Sequence, residues 1–274
     1  MGRQERRRKL KEAIEAVYRR GLDLTAPAID QRRAVVAITR MLVEILSGRN
    51  PLRASNAARR AHEFFETSLN GATGKPAIAC RKGCGFCCHV AITATAPEIF
   101  LIANTLRDQY KDDLEALLYR VQAADHKTRA LSAPERPLRK IPCVMLKDNA
   151  CSIYAVRPGA CRGLVSRSAT LCERGYNGEN VTIDIPTLWT SMRHAHKQTL
   201  WAALSASGLR TQCYEFHHGL RIALENPDAE TRWLHGEDVF AAVAHEVIDD
   251  AATNAQNQRL IDTLIAAASE KELP

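Results

Sequence analysis

The sequence contains no internal repeat, no low-complexity tract and no linker rich in glycine and serine, so nothing in it indicates a repeat array or a string of linked modules. No run of residues is long and apolar enough to span a bilayer. The start also lacks the apolar core of a secretory signal, and we therefore expect a cytoplasmic protein. Its 274 residues suffice to bury a hydrophobic core without help from a metal.

The signatures of several common chemistries are missing too. The sequence has no Gly-rich phosphate loop, no nucleophile elbow and no HExxH motif. Residues 1–20 carry eight cations against three acids, but no known nucleic-acid module accompanies them, so a solvated helix face is the favoured interpretation. We expect neither a membrane nor a nucleic acid among the partners, whereas a protein partner stays open.

Cysteine, by contrast, is abundant. Eight of the nine cysteines lie between positions 80 and 172, while Cys213 stands apart and is interpreted as an ordinary core residue. Reduced thiols grouped at short spacings indicate metal ligation or redox chemistry rather than disulfides. Cys172 either completes a second four-ligand site or takes no part in metal binding. The other thiols form two groups and are the expected metal ligands: Cys80, Cys84, Cys87 and Cys88, followed by Cys143, Cys151 and Cys161.

Helical periodicity dominates the rest of the chain and predicts a predominantly α fold, a helical scaffold around an irregular cysteine-rich metal-binding centre. Strands are predicted only at 91–94 and 181–185. We expect an N-terminal helical region at 1–75, a metal-binding region at 76–176 and a C-terminal helical region at 177–274. Helices are predicted at 30–47, at 55–69, after the capping box at 95–98, around 114–121, at 186–207, at 213–224 and from 239 onward.

The two cysteine groups must meet if they share a metal. The roughly 55 residues from Cys88 to Cys143 are predicted to form a helical hairpin that returns the chain to its starting point. In a helix, Gly83 and Gly85 would each cost about 1 kcal/mol relative to alanine, so the first group is predicted to form a wrapped loop. Residues 136–174 hold eight cations against two acids, a charge that we expect to lower the thiol pKa values.

The order of these motifs resembles a known family. The first group has the form Cys-x3-Cys-x2-Cys-Cys, and residues 151–162 have the form Cys-x-Ile-Tyr-x-x-Arg-Pro-x-x-Cys-Arg. Over roughly residues 78–165 the chain is similar to the YkgJ-like family of cysteine-cluster proteins, which are zinc- or iron-chelating domains. The resemblance implies metal binding by the same seven cysteines and leaves the metal and the number of sites open.

Two rival chemistries share parts of this pattern. Cys80-x3-Cys84-x2-Cys87 is also the form of the cluster loop in radical S-adenosylmethionine enzymes, but those enzymes continue into the strand-helix units of a partial barrel, whereas this chain continues into predicted helices. Structural zinc needs four closed ligands, often in paired knuckles. The adjacent pair Cys87-Cys88 and the large number of thiols favour an iron-sulfur cluster over zinc.

Other side chains near the cysteines have more than one interpretation. His89 is either a ligand, a hydrogen-bond partner of the site or a polar loop residue. Tyr154 and Arg157 are expected to position the loop or a bound anion. The histidines at 194, 196, 217 and 218 fall in predicted helices, where surface or core positions are expected.

Two functions remain open at this point. One is a metal-dependent redox or modifying enzyme with an iron-sulfur centre. The other is a non-catalytic protein that holds zinc or iron for structure, storage or transfer. A cleft lined by Tyr154, Arg157 or His89 would favour the first, and a closed, exposed site would favour the second.

Overall fold

A computed structural model of the protein describes residues 3–26, 28–244 and 251–270. These residues are predominantly helical, as predicted. None of the described helices combines the length and the hydrophobicity needed to span a bilayer. In chain order the helices are α1 (Arg3–Arg20), α2 (Ala28–Leu46), α3 (Arg53–Gly71), α4 (Ala96–Gln109), α5 (Leu114–Thr128), α6 (Glu135–Leu138), α7 (Gly159–Arg162), α8 (Ala169–Tyr176), α9 (Thr187–Ala206), α10 (Phe216–Glu225), α11 (Ala229–Leu234) and α12 (Ala251–Ser269), and the strands are β1 (Thr93–Thr95), β2 (Leu146–Lys147), β3 (Ala150–Cys151) and β4 (Cys213–Glu215).

Two compact units divide the chain. The first comprises the described residues within 1–75, 191–211 and 247–274, and the second comprises those within 76–190 and 212–246. Each unit is therefore assembled from segments that are far apart in sequence. The division into three consecutive regions stays a prediction.

The first unit is built around α2, which packs against α1, α3 and α12. Val36 of α2 and Ala202 of α9 are completely buried in a cluster with Leu264 of α12. The guanidinium of Arg40 donates to the carbonyl oxygens of Ala267 and Ala268, at 2.7 and 3.0 Å. These carbonyls belong to the last turn of α12, where carbonyls lack the regular helical donor four residues later. That of Ala267 also accepts from the N–H of Glu270 at 3.4 Å, and Arg40 adds further donors at this end.

The second unit has α4, α5 and α10 at its centre, with α10 packed on both of the others. Ile99, Leu117 and Leu220 are buried there. A Cβ atom on Gly219 of α10 would lie 2.7 Å from Cδ1 of Ile99. Glycine at this position therefore lets α4 and α10 approach closely.

An antiparallel pair of strands fixes the starts of two of these helices. Thr95 of β1 lies opposite Cys213 of β4, and Thr93 lies opposite Glu215. Since β1 runs directly into α4 and β4 runs directly into α10, the pair sets the two helices side by side. Cys213 is buried in this pair, which confirms its interpretation as a core residue.

Most predicted helices are present, and four local predictions are wrong. Strands β2 and β3 lie outside the two segments predicted as strands. Residues 213–215 form β4 rather than the start of a helix, because they pair with β1. Residues 181–185 are irregular rather than a strand. Residues 239–244 are not helical, residues 245–250 lie outside the described part, and α12 begins at Ala251.

Candidate metal centre

Thiols from separate stretches of the second unit lie around one cavity of about 840 Å³. None of the nine cysteines, all of which lie in the described residues, forms a disulfide, and the thiol of Cys213 is buried in β4, away from the cavity wall. The seven expected ligands all line the cavity, and Cys172 lines it as well. The cavity-lining cysteines are Cys80, Cys84, Cys87, Cys88, Cys143, Cys151, Cys161 and Cys172.

The first cysteine group forms a wrapped loop, as predicted. Gly83 has a φ of +89°, a conformation that side chains rarely adopt and that glycine tolerates. The loop ends in a single 3₁₀ turn, Phe86–His89, in which the backbone N–H of Cys88 donates to the carbonyl of Gly85 at 3.0 Å. This turn places Cys87 and Cys88 at consecutive positions on the cavity wall.

The helices α4 and α5 return the chain to this loop, as predicted. The backbone N–H of Cys143 donates to the carbonyl of Cys88 at 2.6 Å, which joins the end of the first cysteine group to the start of the second. A Cβ atom on Gly85 would lie 3.1 Å from Cδ1 of Leu146. The second cysteine segment therefore packs directly on the first loop.

The hairpin of β2 and β3 holds Cys143 near Cys151. Leu146 pairs with Cys151 across the hairpin, and its backbone N–H donates to the carbonyl of Cys143 at 2.9 Å. The two turn residues, Asp148 and Asn149, have positive φ values of 50° and 55°. A two-residue turn with positive φ at both positions favours aspartate and asparagine, so this local sequence specifies the hairpin.

Glu98 positions Cys161 from the start of α4. Its Oε2 accepts hydrogen bonds from the backbone N–H and the hydroxyl of Thr95, at 2.9 and 2.8 Å, which completes the predicted capping box. Its Oε1 accepts from the backbone N–H of Gly159 at 2.7 Å. Gly159 is the first residue of α7, the one-turn helix that carries Cys161. The spacing of the sequence predicted the capping box but carries no sign of the bond to Gly159.

Arg162, the residue after Cys161, donates hydrogen bonds to backbone carbonyl groups. The guanidinium of Arg162 is buried and donates to the carbonyl of Arg157 at 3.0 Å and to the carbonyl of Ala155. These bonds fix the bend that leads into α7. Arg162 therefore helps to position Cys161.

Burial raises the pKa values of several thiols in this cavity. The pKa of Cys143 is raised to about 12. The pKa of Cys87 is also raised, and the largest cause is the hydrogen bond between Cys87 and Cys88. The expectation that nearby cations lower the thiol pKa values is wrong for five thiols, whose pKa values are raised mainly by desolvation or, for Cys87, first by the hydrogen bond with Cys88. Burial is the largest cause of the raised pKa for Cys80, Cys143, Cys151 and Cys161.

The cations of this region have divided roles. Arg157 lowers the pKa of Cys151 and Cys161, but by less than burial raises it, and Arg136 has the same effect on Cys143. Others pair with acids, as Arg167 does with Asp184 at 3.6 Å and Arg174 with Glu179 at 2.7 Å. Only some of the cations counted along the sequence therefore interact electrostatically with the thiols.

A buried polar group lies behind Cys143. His217 is 1% exposed, and its Nε2 accepts from the backbone N–H of Val144 at 3.2 Å. Its Nδ1 lies 3.2 Å from the hydroxyl of Thr128. The guanidinium of Arg136 lies 3.6 Å from Glu215 Oε1 and 3.4 Å from the ring nitrogens of His217. Sequence patterns indicate nothing of this arrangement beyond a surface or core position for the histidine.

Tyr154, Arg157 and His89 all line the same cavity. Tyr154 is 65% exposed, and the guanidinium of Arg157 lies 3.6 Å from its ring centroid. The Nδ1 of His89 lies 3.2 Å from the carbonyl of Gly85 and donates to it, since a carbonyl can only accept. This bond leaves Nε2 as the ring nitrogen of His89 that is available to a ligand.

The fold and the cavity define a predominantly helical protein with a thiol-lined binding site in its second unit. Residues 79–177 match the model of the CxxCxxCC family, which is described as a "Putative zinc- or iron-chelating domain". The predicted family resemblance is thereby confirmed for this segment, and metal chelation is supported. No curated protein and no solved structure matches the chain.

Proposed function

We propose that this protein carries an iron-sulfur centre that serves a redox or modifying reaction in the cytoplasm. The observation that carries the proposal is the convergence of thiols from two cysteine groups, far apart in sequence, on one cavity of about 840 Å³. A single zinc ion needs only four ligands at about 2.3 Å. Seven thiols and a cavity of this size suit a polynuclear centre better. The proposed ligands are Cys80, Cys84, Cys87, Cys88, Cys143, Cys151 and Cys161.

The donor set fits such a group. Cysteine thiolates are the usual ligands of iron-sulfur clusters, which supply electron transfer when bound. Burial keeps the free thiols protonated, so binding of a metal must displace their protons. Arg136 and Arg157 lie close enough to Cys143, Cys151 and Cys161 to offset part of the negative charge of the bound thiolates.

The shape of the site favours an enzyme over a closed structural site. Pockets that bind small molecules typically have volumes of about 300–1,000 Å³ and a few polar groups on an apolar wall. Here Tyr154, Arg157 and His89 line the cavity together with the thiols. Arg157 can donate to an anionic substrate, and Tyr154 offers an exposed aromatic surface. This arrangement supports the redox or modifying role.

The test is anaerobic purification followed by assays of iron, zinc and acid-labile sulfide and by visible spectroscopy. We expect a brown protein with broad absorption near ~400 nm. Replacing one thiol of each group, in Cys84→Ser and in Cys151→Ser, should lower the iron content, whereas Cys213→Ser should not. A colourless protein with stoichiometric zinc would support the non-catalytic zinc alternative, and a protein without metal would contradict both hypotheses.

A further inference from the structure

A short segment on the cavity wall has the pattern of a β-strand but no partner strand. Residues 181–185 read Val-Thr-Ile-Asp-Ile, and four of these five residues are β-branched, which favours a strand. The segment runs without a helix, turn or bend. It lies beyond residue 177, where the match to the chelating-domain family ends.

The side chains of this segment alternate as those of a strand do. Val181 and Ile183 are half-buried and line the cavity, whereas Thr182 and Asp184 are exposed and do not line it. A Cβ atom on Gly175 of α8 would lie 3.3 Å from Cγ2 of Val181 and 3.7 Å from Cδ1 of Ile183, so both side chains face α8. An apolar face that recurs at every second residue is typical of a half-buried strand.

One edge of the segment is already occupied. The backbone N–H of Arg167 donates to the carbonyl of Asp184 at 3.0 Å. The neighbouring residue of that stretch, Ser166, is bonded in turn to the start of the first cysteine group, because its carbonyl accepts from the N–H of Ala79 at 2.8 Å. The three stretches therefore lie side by side, and residues 181–185 form the outer one.

The opposite edge of the segment carries backbone groups that no other strand uses. In an extended chain, the N–H and C=O groups of alternate residues point to the same edge. Those of Thr182 therefore point to the same side as those of Asp184, toward Arg167, and those of Val181 and Ile183 point away. Within the described part of the chain, no hydrogen bond involves the backbone of Val181 or Ile183. Their N–H and C=O groups are available to a further strand.

The charge of the cavity wall favours an acidic occupant. Both acids that line the cavity, Glu179 and Glu215, form ion pairs with arginines, at 2.7 and 3.6 Å. Arg81 and Lys82 also line the cavity, and both are exposed. Acidic side chains on a bound chain would complement these two cations.

We propose that residues 181–185 dock an extended, acidic segment of a protein substrate by β-strand addition, with hydrogen bonds to the backbone of Val181 and Ile183. Because side chains alternate along a strand, every second side chain of the bound segment would lie on the cavity side. The docking itself needs no metal, whereas the role of the segment as a substrate rests on the proposed function.

The first test uses the unaltered protein and a fluorescein-labelled peptide of about nine residues in which valine and glutamate alternate. Fluorescence anisotropy measures its affinity. The same peptide with methylated backbone nitrogens keeps its side chains but cannot donate hydrogen bonds, and it should bind at least about tenfold more weakly. A peptide with lysine in place of glutamate should also bind about tenfold more weakly, because of Arg81 and Lys82.

The second test compares two proline variants. Val181→Pro removes an N–H group from the unused edge and places a ring there, so it should weaken binding of the valine–glutamate peptide about tenfold. Thr182→Pro is the matched control, because the N–H that it removes points to the edge beside Arg167, and it should bind the peptide as the unaltered protein does. Circular dichroism checks that the helical fold persists in both variants.

Four results would overturn the inference: no binding of the valine–glutamate peptide, binding that backbone methylation leaves unchanged, equal binding of the lysine peptide, or equal weakening by the two proline variants. The peptide comparison alone decides if a proline variant fails to fold. Metal per chain is measured in the same samples. A metal-free protein that binds the peptide would contradict the proposed function and leave the docking intact, and a brown protein that binds no peptide would do the reverse.

Discussion

At the scale of single residues, His217 is a deeply buried ionisable group that lines the cavity. Its Nε2 accepts from Val144 N–H, so the neutral ring carries its proton on Nδ1, next to the hydroxyl of Thr128. A second proton would point from Nε2 toward the N–H of Val144 and would face the guanidinium of Arg136. Burial, followed by the charge of Arg136, accordingly lowers the pKa of His217 to about 3.

The folded protein therefore resists protonation of His217, and its stability should depend on pH. With the pKa near 3 when folded and about 6.5 when unfolded, the contribution is complete above pH ~6.5 and is lost as the pH falls toward 3. Between pH 6.5 and 4.5 the metal-free protein should lose about 2–3 kcal/mol of unfolding free energy through this residue. Measured by urea unfolding, the loss of unfolding free energy between pH 6.5 and 4.5 should be smaller by about 2–3 kcal/mol in His217→Gln than in the unaltered protein. The exposed control His235→Gln should lose as much as the unaltered protein. Equal pH dependence in both variants would contradict this assignment.

At the scale of secondary structure, Glu98 connects two elements that the site needs. Its carboxylate accepts from Thr95 twice, at the start of α4, and from Gly159, at the start of α7. Glu135 provides a matched comparison, since it accepts the same two bonds from Ser132 but is exposed and lies at the start of α6. The two carboxylates thus differ in burial and in the bond that leads to Cys161.

Replacing Glu98 by glutamine should uncouple α7 from α4. An amide group would direct its own N–H toward one of the three donors, so the unfolding free energy should fall by about 1–3 kcal/mol. The bound metal should also decrease, because Cys161 follows Gly159 by two residues. Glu135→Gln should change the metal content little. Metal retention that is the same in both variants would show that the bond from Glu98 to Gly159 does not position the site.

The elements also show which features could be predicted from sequence. The capping box is local, so its residues specify it and the sequence predicts it. The Asp148-Asn149 turn is equally local, but the strands on either side of it are only two residues long and were not predicted. Residues 213–215 form a strand only because β1, more than 100 residues earlier, pairs with them, and helical periodicity hides that contact. The thiol pKa values were mispredicted for a similar reason: the sequence displays charge, while burial depends on packing.

At the scale of the whole molecule, all nine cysteines belong to the second unit. Metal-thiolate bonds contribute folding free energy to the segments that they join. Removing the metal by chelation should therefore accelerate hydrogen exchange in residues 80–88 and 143–172. Peptides from α2 and α12, which share the core of the first unit, should exchange as before. Unchanged exchange near the cysteines would mean that bound metal does not stabilise them.

X-ray absorption at the metal edge of the anaerobically purified protein tests the central claim most directly. The account predicts nearest neighbours that are sulfur, with a distance of about 2.3 Å if the metal is zinc, and a further iron shell if it is a cluster. The combined variant Cys84→Ser/Cys151→Ser should lose this sulfur shell. A nearest shell of nitrogen and oxygen, or a sulfur shell that survives both substitutions, would contradict the convergence of the two cysteine groups on a common metal site.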